Sequence, residues 1–461
     1  MILSDEDLQN DINIFLQGLG DNITAEKLRD YLNLPQVREQ HGINHRLSLA
    51  TAQNYLDRLG YRFAQPLKGQ FVDGHERNDV VDHRQNRFLP EMLSYQPRMR
   101  VYDKDGNLIS EPEGRPVVVW WHDESIFFAN DRRRKRWIHK DATPKPYKKG
   151  DGPSLMYANF VSADYGWLRA PDGRSPEILL KPGKTRDGYM TNEEILEQFK
   201  HASALLKELY PNEDHVLVYD NATTHTKRPD DALSARHTPK NTPKEGKNWL
   251  VEVSARDANG KVIPGQKIKG PMRDGYHNGQ PQSLYFPPEH PRAGVFKGMV
   301  TILEERGITF STKKLAECKN FKCNPPKTDC CYRRVLFNQP DFAGVESNLE
   351  TLGKSLGIPV LFLPKYHCEL NFIEQCWGYA KRLYRLNPES SREDVLERNT
   401  MDAINAVPLV AMRRFANRSL RIMDAYRNGL DGKQAAWAAK KYRGHRILPP
   451  EWREDLRKAN L

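Results

Sequence analysis

The chain has 461 residues, and 71 Lys and Arg against 60 Asp and Glu give a formal net charge of +11. A composition of 38% hydrophobic and 28% charged residues, with a mean hydropathy of −0.75, fits a folded, polar-surfaced chain of about two to four domains and excludes a membrane protein and a wholly disordered one. The longest apolar runs, such as Val117–Trp121, are far too short to cross a bilayer, and the acidic start MILSDEDLQN has no basic stretch leading into an apolar one. The expectation is therefore a protein of the cytosol or nucleus, where clustered cysteines point to metal or redox chemistry rather than to disulfides.

The first 65 residues read as three short helices, Glu6–Leu16, Thr24–Leu32 with Thr24 as N-cap, and Ser48–Leu59 ending at Gly60. The polar third helix would present Gln53, Asn54 and Arg58, which suits a helix-turn-helix lying in a DNA major groove; the alternative is a structural three-helix cap. Residues 66–110 are polar and turn-rich, as in a linker, with one helix near Asp79–Met92. Strands are expected at Pro116–Trp121, Arg136–His139 and Ser154–Ser162, with a charged turn at Asn130–Arg136. Thr191 and Glu194 form a capping box for an amphipathic helix to Tyr210, whose stripe is Ile195, Phe199, Ala202, Leu206 and Leu209. A buried strand, His215–Tyr219, follows. After a long Pro-, Gly- and Lys-rich interruption, roughly Thr226–Asp341 with a helix at Ala293–Arg306, come a helix (Val345–Leu356), a strand (Pro359–Leu363) and a helix (Asn371–Tyr384). The order makes a mixed α/β layer fold, and an interruption of that length inside a compact domain reads as an inserted subdomain with little core of its own.

Two buried strands each deliver an aspartate: Asp123 follows VVVWWH and Asp220 follows HVLVY, while Glu374 lies near the N-terminus of the last of these helices. Carboxylates at strand ends can share a divalent cation through oxygen ligands, and three of them close together need one, because they otherwise repel. Each also has a plainer reading. Asp123 can start a turn, Asp220 with Asn221 can form an Asx turn, and Glu374 stands three residues after Asn371, a capping-box position. His225 could contact substrate or order its loop, or be an ordinary solvated histidine.

The segments WWHDES, VYDNATTH and LPKYHCELNFIEQCWGYAKR resemble the three catalytic blocks of DDE transposases related to the mariner group and its bacterial insertion-sequence relatives. SLATAQNYLDRLGYRF resembles the end of their helix-turn-helix region, and GQFVDGHERNDVVDHRQNRFLP with FANDRRRKRW resembles a fungal-type branch of that superfamily. The resemblance implies a ribonuclease H-like core in which Asp123, Asp220 and Glu374 are the catalytic, metal-binding triad. It also implies two Mg²⁺ ions, replaceable by Mn²⁺, in-line phosphoryl transfer at transposon ends, double-stranded DNA as end and target, a homodimer on DNA, and a nuclear location. The third block departs from the family pattern, with Glu369 for the usual Asp and Phe372 for the usual Pro. The segment between Asp220 and Glu374 is several times longer than in the usual mariner-like members. Two other readings compete, a DNA nuclease without strand transfer and a domesticated DNA-binding protein with a relic site.

The division expected is 1–65 helix-turn-helix, 66–110 linker, 111–228 and 341–388 the two parts of the catalytic core, 229–340 the inserted subdomain, and 389–461 a basic helical C-terminal region. A basic run opens with Arg132, Arg133, Arg134, Lys135 and Arg136, close after Asp123, and suits phosphate-backbone contact; such a run can equally be a solvated face or an import signal. In the helix Leu409–Tyr426, Met412, Phe415, Met423 and Tyr426 are expected inside, and Arg414, Arg418 and Arg421 outside, facing DNA or a partner. Cys318, Cys323, Cys330 and Cys331 lie close together as C-x₄-C-x₆-C-C, a set able to hold structural Zn²⁺ although its spacing departs from paired C-x₂₋₄-C; reduced, partly buried thiols are the alternative.

Overall fold

The computed structural model of the protein describes residues 6–19, 23–59, 61, 74–131, 150–258, 260, 262–310, 314–321, 323, 327–388 and 390–459. The chain divides into two compact units, Met1–Phe71 and Val72–Leu461. In the first, four helices form, α1 (Glu6–Leu19), α2 (Ala25–Leu32), α3 (Pro35–Gln40) and α4 (Leu49–Arg58). The sequence reading had three. The extra one, α3, starts on Pro35, whose fixed φ suits a first helical position. Thr24 and Ser48 cap α2 and α4 through their hydroxyls. Leu8, Ile12, Leu16, Leu28, Leu32, Val37, Ala52 and Tyr55 close the core, and Asn33 clamps the turn before α4 by bonding both the amide (2.8 Å) and the carbonyl (3.0 Å) of Leu47. Ala52 and Tyr55 face inward, so Gln53, Asn54 and Arg58 are exposed on the opposite face of α4.

The second unit is built on a mixed sheet of β1 (Val117–Phe128), β2 (Ser154–Ser162), β3 (Gly166–Trp167), β4 (Ile178–Leu180), β5 (Asp214–Tyr219) and β6 (Val360–Phe362). The strand order is β6-β5-β1-β2-β3, with β4 also on β2. β1, β5 and β6 run parallel, and β2 is antiparallel to β1. A central strand flanked by an antiparallel neighbour on one side and two parallel strands on the other is the sheet of a ribonuclease H-like core. The continuous run VVVWW is apolar on both faces because both faces are covered. Val117, Val119 and Trp121 pack with α7 (Ile373–Tyr384) and α8 (Leu409–Arg427), whereas Val118 and Trp120 pack with α5 (Asn192–Leu209) and α6 (Asn348–Leu356). The capping box of α5 forms as its sequence implies.

Several expectations are corrected. β1 does not end before Asp123; it continues to Phe128 as the partner of β2, with Asp123 opposite Asn159. The charged turn and return strand expected over 130–139, and the basic run Arg132–Arg136, fall largely or wholly outside the described residues. The helix expected near Asp79–Met92 does form, as Asn78–His83 and Leu89–Tyr95 joined through Arg84–Phe88, but it is no linker, since it sends Phe88, Leu89 and Met92 into the main core. The helix expected at Ala293–Arg306 shortens to Met299–Glu305, since Gly294 and Gly298 adopt φ of 72° and 89°. A Cβ on Gly298 would stand 2.5 Å from the backbone of Asn241. Arg421 is buried and donates to the carbonyl of His445, because the last helices fold back over α8. Arg414 and Arg418 do lie outside; they bond Lys104 O (2.8 Å) and Gln375 Oε1 (3.2 Å).

The insertion has a core of its own, made by Leu284, Tyr285, Phe296, Met299, Ile302, Leu303, Tyr332, Leu336 and Phe342 among others. Its ends meet. Asn348 N donates to Lys227 O at 2.9 Å, and Asn192 on α5 bridges them, donating to Thr224 O and accepting from Asn348 Nδ2, each at 2.8 Å.

Arg306 is wholly buried beside that core and is held by both carboxylate oxygens of Asp341 at 2.8 Å. Removing one member of such a pair leaves the other charge buried and uncompensated. Asp341→Ala is therefore expected to destabilise the insertion by about 3–5 kcal/mol, and Arg306→Met with Asp341→Leu to recover most of the loss. Urea unfolding followed by tryptophan fluorescence reports this; a single variant with an unchanged midpoint would show that the pair is not buried in solution.

Candidate active site

Pairing between β1 and β5 runs from Val117–Asp214 to Trp121–Val218. Asp123 on β1 and Asp220, just past the end of β5, each stand two residues beyond the last pair of this register. β5 ends at Tyr219 while β1 continues, so beyond Trp121 the β5 side of β1 is open. This is the crevice at the carboxyl end of parallel strands, where ligands of open α/β sheets bind.

Alternation divides the residues of WWHDES between two faces. Asp123, 8% exposed, shares the face of Trp121, and its Oδ2 accepts from Trp377 Nε1 of α7 at 3.1 Å. Ile373, Cys376, Trp377, Ala380 and Tyr384 form the buried stripe of α7. Glu374, three residues before Trp377, borders this stripe and is itself exposed. Asn371 does not cap this helix; its amide donates to His122 O at 3.3 Å. Phe372, in the place of the family's proline, has a φ of −69° that proline would also adopt, and its ring meets Trp121 edge-on at 5.9 Å.

Electrostatics links the three acids. Burial, followed by the charges of Glu374, Glu124 and Asp220, pushes the Asp123 carboxyl well above the usual carboxylate range. Glu374 is also raised, by burial and by Asp220, against the opposing charge of Lys381. Asp220 behaves differently. It keeps the Asx-turn bond from Ala222 N (3.1 Å), and its Oδ1 accepts from His225 Nδ1 at 2.5 Å. His225 Nε2 in turn donates to Glu124 Oε1 at 3.1 Å. Burial alone would lower the imidazole, but the bonds and charges of Asp220 and Glu124 outweigh it and raise the histidine to about 10. Both carboxylates are held below their ordinary values by the same contacts, against the effect of burial.

Among the described residues, three groups bring metal-ligating atoms within 4.8 Å of one another: His122, Glu124 and His225; His75, His367 and Glu369; and Cys318, Cys323, Cys330 and Cys331. Asp123, Asp220 and Glu374 do not form such a group; Asp220 Oδ1 is bonded to His225 instead. Glu124 and His122 were not singled out from the sequence. The available signal was their two-residue spacing, which puts both on the face opposite Asp123. His122 is buried, donates from Nε2 to Gln198 Oε1 at 2.8 Å, and is driven down to about 4 by burial.

Glu369 belongs to a separate network. It accepts from His367 Nδ1 (2.7 Å), Tyr426 Oη (2.8 Å) and His75 Nε2 (3.4 Å). Burial opposes ionisation, yet the two histidines hold the carboxyl down to about 2. Arg84 donates to His367 Nε2 at 3.3 Å and lies over the Tyr426 ring. Glu369 thus fixes the loop leading into α7.

No protein-family model matches the chain, and no curated protein matches it in sequence. Among solved structures, a Mos1 mariner paired-end complex with Mn is 18% identical at a TM-score of 0.30, over 47% of this chain and 53% of that one. A Mos1 strand transfer complex is 20% identical at 0.26, over 45% and 53%. A mariner Mos1 paired-end complex with Mg is 18% identical at 0.27, over 45% and 55%. The chain thus spans about half the length of the Mos1 chains it matches.

The raised His225 carries a pH signature. An imidazole whose value rises from 6.5 to about 10 on folding contributes stability that is full below pH about 6.5 and is lost as pH climbs through about 10. In metal-free protein, His225→Gln should therefore cost a few kcal/mol at pH 6 and progressively less toward pH 10. Thermal melts across that range test this, as does nitrogen NMR of the imidazole; a ring titrating near 6.5 would refute the clamp.

Proposed function

We propose that the protein is a transposase of the DDE type, a metal-dependent DNA endonuclease and strand-transfer enzyme acting at transposon ends. What supports this reading is that Asp123 on β1 and Asp220, just past the end of the parallel strand β5, are neighbours in the extended register, with Glu374 in the first turn of α7, whose Trp377 bonds Asp123. The donor set fits a hard cation, because three carboxylates supply only oxygen ligands, and burial, with neighbouring carboxylates adding to it, raises Asp123 and Glu374. Asp123, Asp220 and Glu374 would hold Mg²⁺, or Mn²⁺ in its place. When bound, a pair of such ions supplies Lewis-acid stabilisation of both oxygens in an in-line displacement at phosphorus.

The chain's own groups do the positioning. Trp377 aims the Asp123 carboxylate from α7, and the Asn371 bond to His122 O ties the start of α7 to β1. The His225 bridge fixes Asp220 against Glu124. In the N-terminal unit, the exposed face of α4 with Gln53, Asn54 and Arg58 would read the ends of the element as a helix-turn-helix. The basic run Arg132–Arg136 would neutralise phosphates without sequence preference. Work at transposon ends implies a homodimer on duplex DNA and a nuclear location.

Asp123→Asn, Asp220→Asn and Glu374→Gln preserve side-chain size and remove the charge that holds the cation. Each should take Mg²⁺-dependent strand cleavage below detection while end binding stays within about twofold, because affinity resides in the basic surface and the N-terminal helices. Gel-shift and nicking assays on a duplex carrying the element's terminal repeats separate the two effects. Persistent cleavage by all three variants would end the DDE assignment. Glu369→Gln does not serve as a silent control, since it disturbs the buried network that holds the α7 loop; Glu397→Gln, in the helix Glu393–Asn405, is the suitable one.

Changing Gln53, Asn54 and Arg58 together to Ala should weaken binding to the terminal repeats by tenfold or more, about 1.4 kcal/mol, with a smaller loss on random duplex. Equal losses on both would reduce α4 to nonspecific contact.

A further inference from the structure

The cysteines of the insertion lie far along the chain from the proposed catalytic residues, and the backbone explains why they meet. Tyr332 N donates to Leu315 O at 3.1 Å and Arg333 N to Ala316 O at 3.0 Å, which zips the chain on either side of the loop. Cys318 leaves this ladder two residues after Ala316, and Cys331 enters it two residues before Arg333. Asn320 takes a left-handed turn at φ 54°, reversing the chain between Cys318 and Cys323. All four sulfurs consequently lie within 4.8 Å of one another.

We propose that Cys318, Cys323, Cys330 and Cys331 form a structural zinc site. Four thiolates around one Zn²⁺ at about 2.3 Å place their sulfurs about 3.8 Å apart, a spacing this cluster already approaches. An iron–sulfur cluster has the same ligand type but sets its cysteines farther apart, because iron and sulfide lie between them. Four uncharged thiols turned on one another have little else to gain: Cys331 is fully buried and the other three are partly so. The charge balance also suits zinc. Arg334, on the helix Tyr332–Phe337, and Lys314, Lys319 and Lys327 are nearby in sequence to offset the dianion that four thiolates make with Zn²⁺. Binding releases the thiol protons, so affinity should fall in acid.

The site does not replace a missing core. The insertion's apolar cluster includes Tyr332, Val335 and Leu336 just beyond Cys331, whereas Leu315, before Cys318, is exposed. Zinc would pin Cys318 and Cys323 to the start of the helix Tyr332–Phe337, which feeds this core.

Elemental analysis of the purified full-length protein should find about one zinc per chain. Cys318→Ser and Cys323→Ser, both at partly exposed positions, should each lower it at least fivefold, and Asp123→Asn should leave it unchanged. Reconstitution with Co²⁺ should give the visible ligand-field and thiolate charge-transfer bands of a tetrahedral sulfur site, absent from Cys318→Ser. Metal-free protein with all four thiols titratable would overturn the proposal, as would a Cys318–Cys330 or other disulfide. Zinc that persists at full occupancy in both serine variants would place it elsewhere and overturn it equally. Since Asp123→Asn is expected to abolish cleavage without touching this site, loss of zinc and failure of the transposase reading are told apart.

Discussion

The feature on which the site depends is a difference in strand length. β1 and β5 are paired up to Trp121 and Val218, and then β5 stops while β1 continues along β2. Had both strands ended together, Asp123 would lie at a sheet edge in water. Had both continued, it would be buried against a neighbouring strand. The mismatch leaves its backbone fixed by β2 and its side chain facing an open notch that Asp220 borders from one side and α7 covers from another. A carboxylate can be kept largely dry and still reachable only in such a place.

Charge in the notch is unevenly shared. Asp220 and Glu124 are compensated by one buried imidazolium, while Asp123 and Glu374 face each other with the indole N–H of Trp377 and the amine of Lys381 as the nearby opposing groups. The same side chains are thus sorted into a neutralised half and an acidic half. Because β1 alternates, His122 and Glu124 lie on the face of Gln198 of α5 and Asp123 on the face of α7, and His225 links Glu124 to Asp220, which follows β5. Substitution at position 124 would be felt at Asp220 through His225, at some remove from the face on which Asp123 sits.

Much of this was legible in the amino-acid order, and the reasons differ by element. The strands VVVWW and HVLVY and the capping box at Thr191 are local signals, and their positions agree with the structure to within a few residues. The end of β1 was misjudged because a carboxylate reads as a strand breaker, whereas here the antiparallel partner Ser154–Ser162 carries the strand past it. Glu124 and His225 were separable from ordinary polar residues only by their contact across about a hundred positions, which no local pattern contains. Arg421 was misread for a related cause: it looks solvent-facing on its own helix and is enclosed by the segment near His445. Gly294 and Gly298, by contrast, were visible as glycines; what the apolar periodicity of Ala293–Arg306 concealed was that both take positive φ.

The insertion enters and leaves the core at one point. Lys227 and Asn348 are joined by a backbone hydrogen bond, and Asn192 holds both ends from the side. A short turn could span that gap without moving α5 or α6, so the ribonuclease H-like core is geometrically complete on either side of the junction. The module between these residues is therefore separable in ancestry: a core of this kind could have acquired it, or could shed it, by a single event at the junction without any change in the register of the sheet.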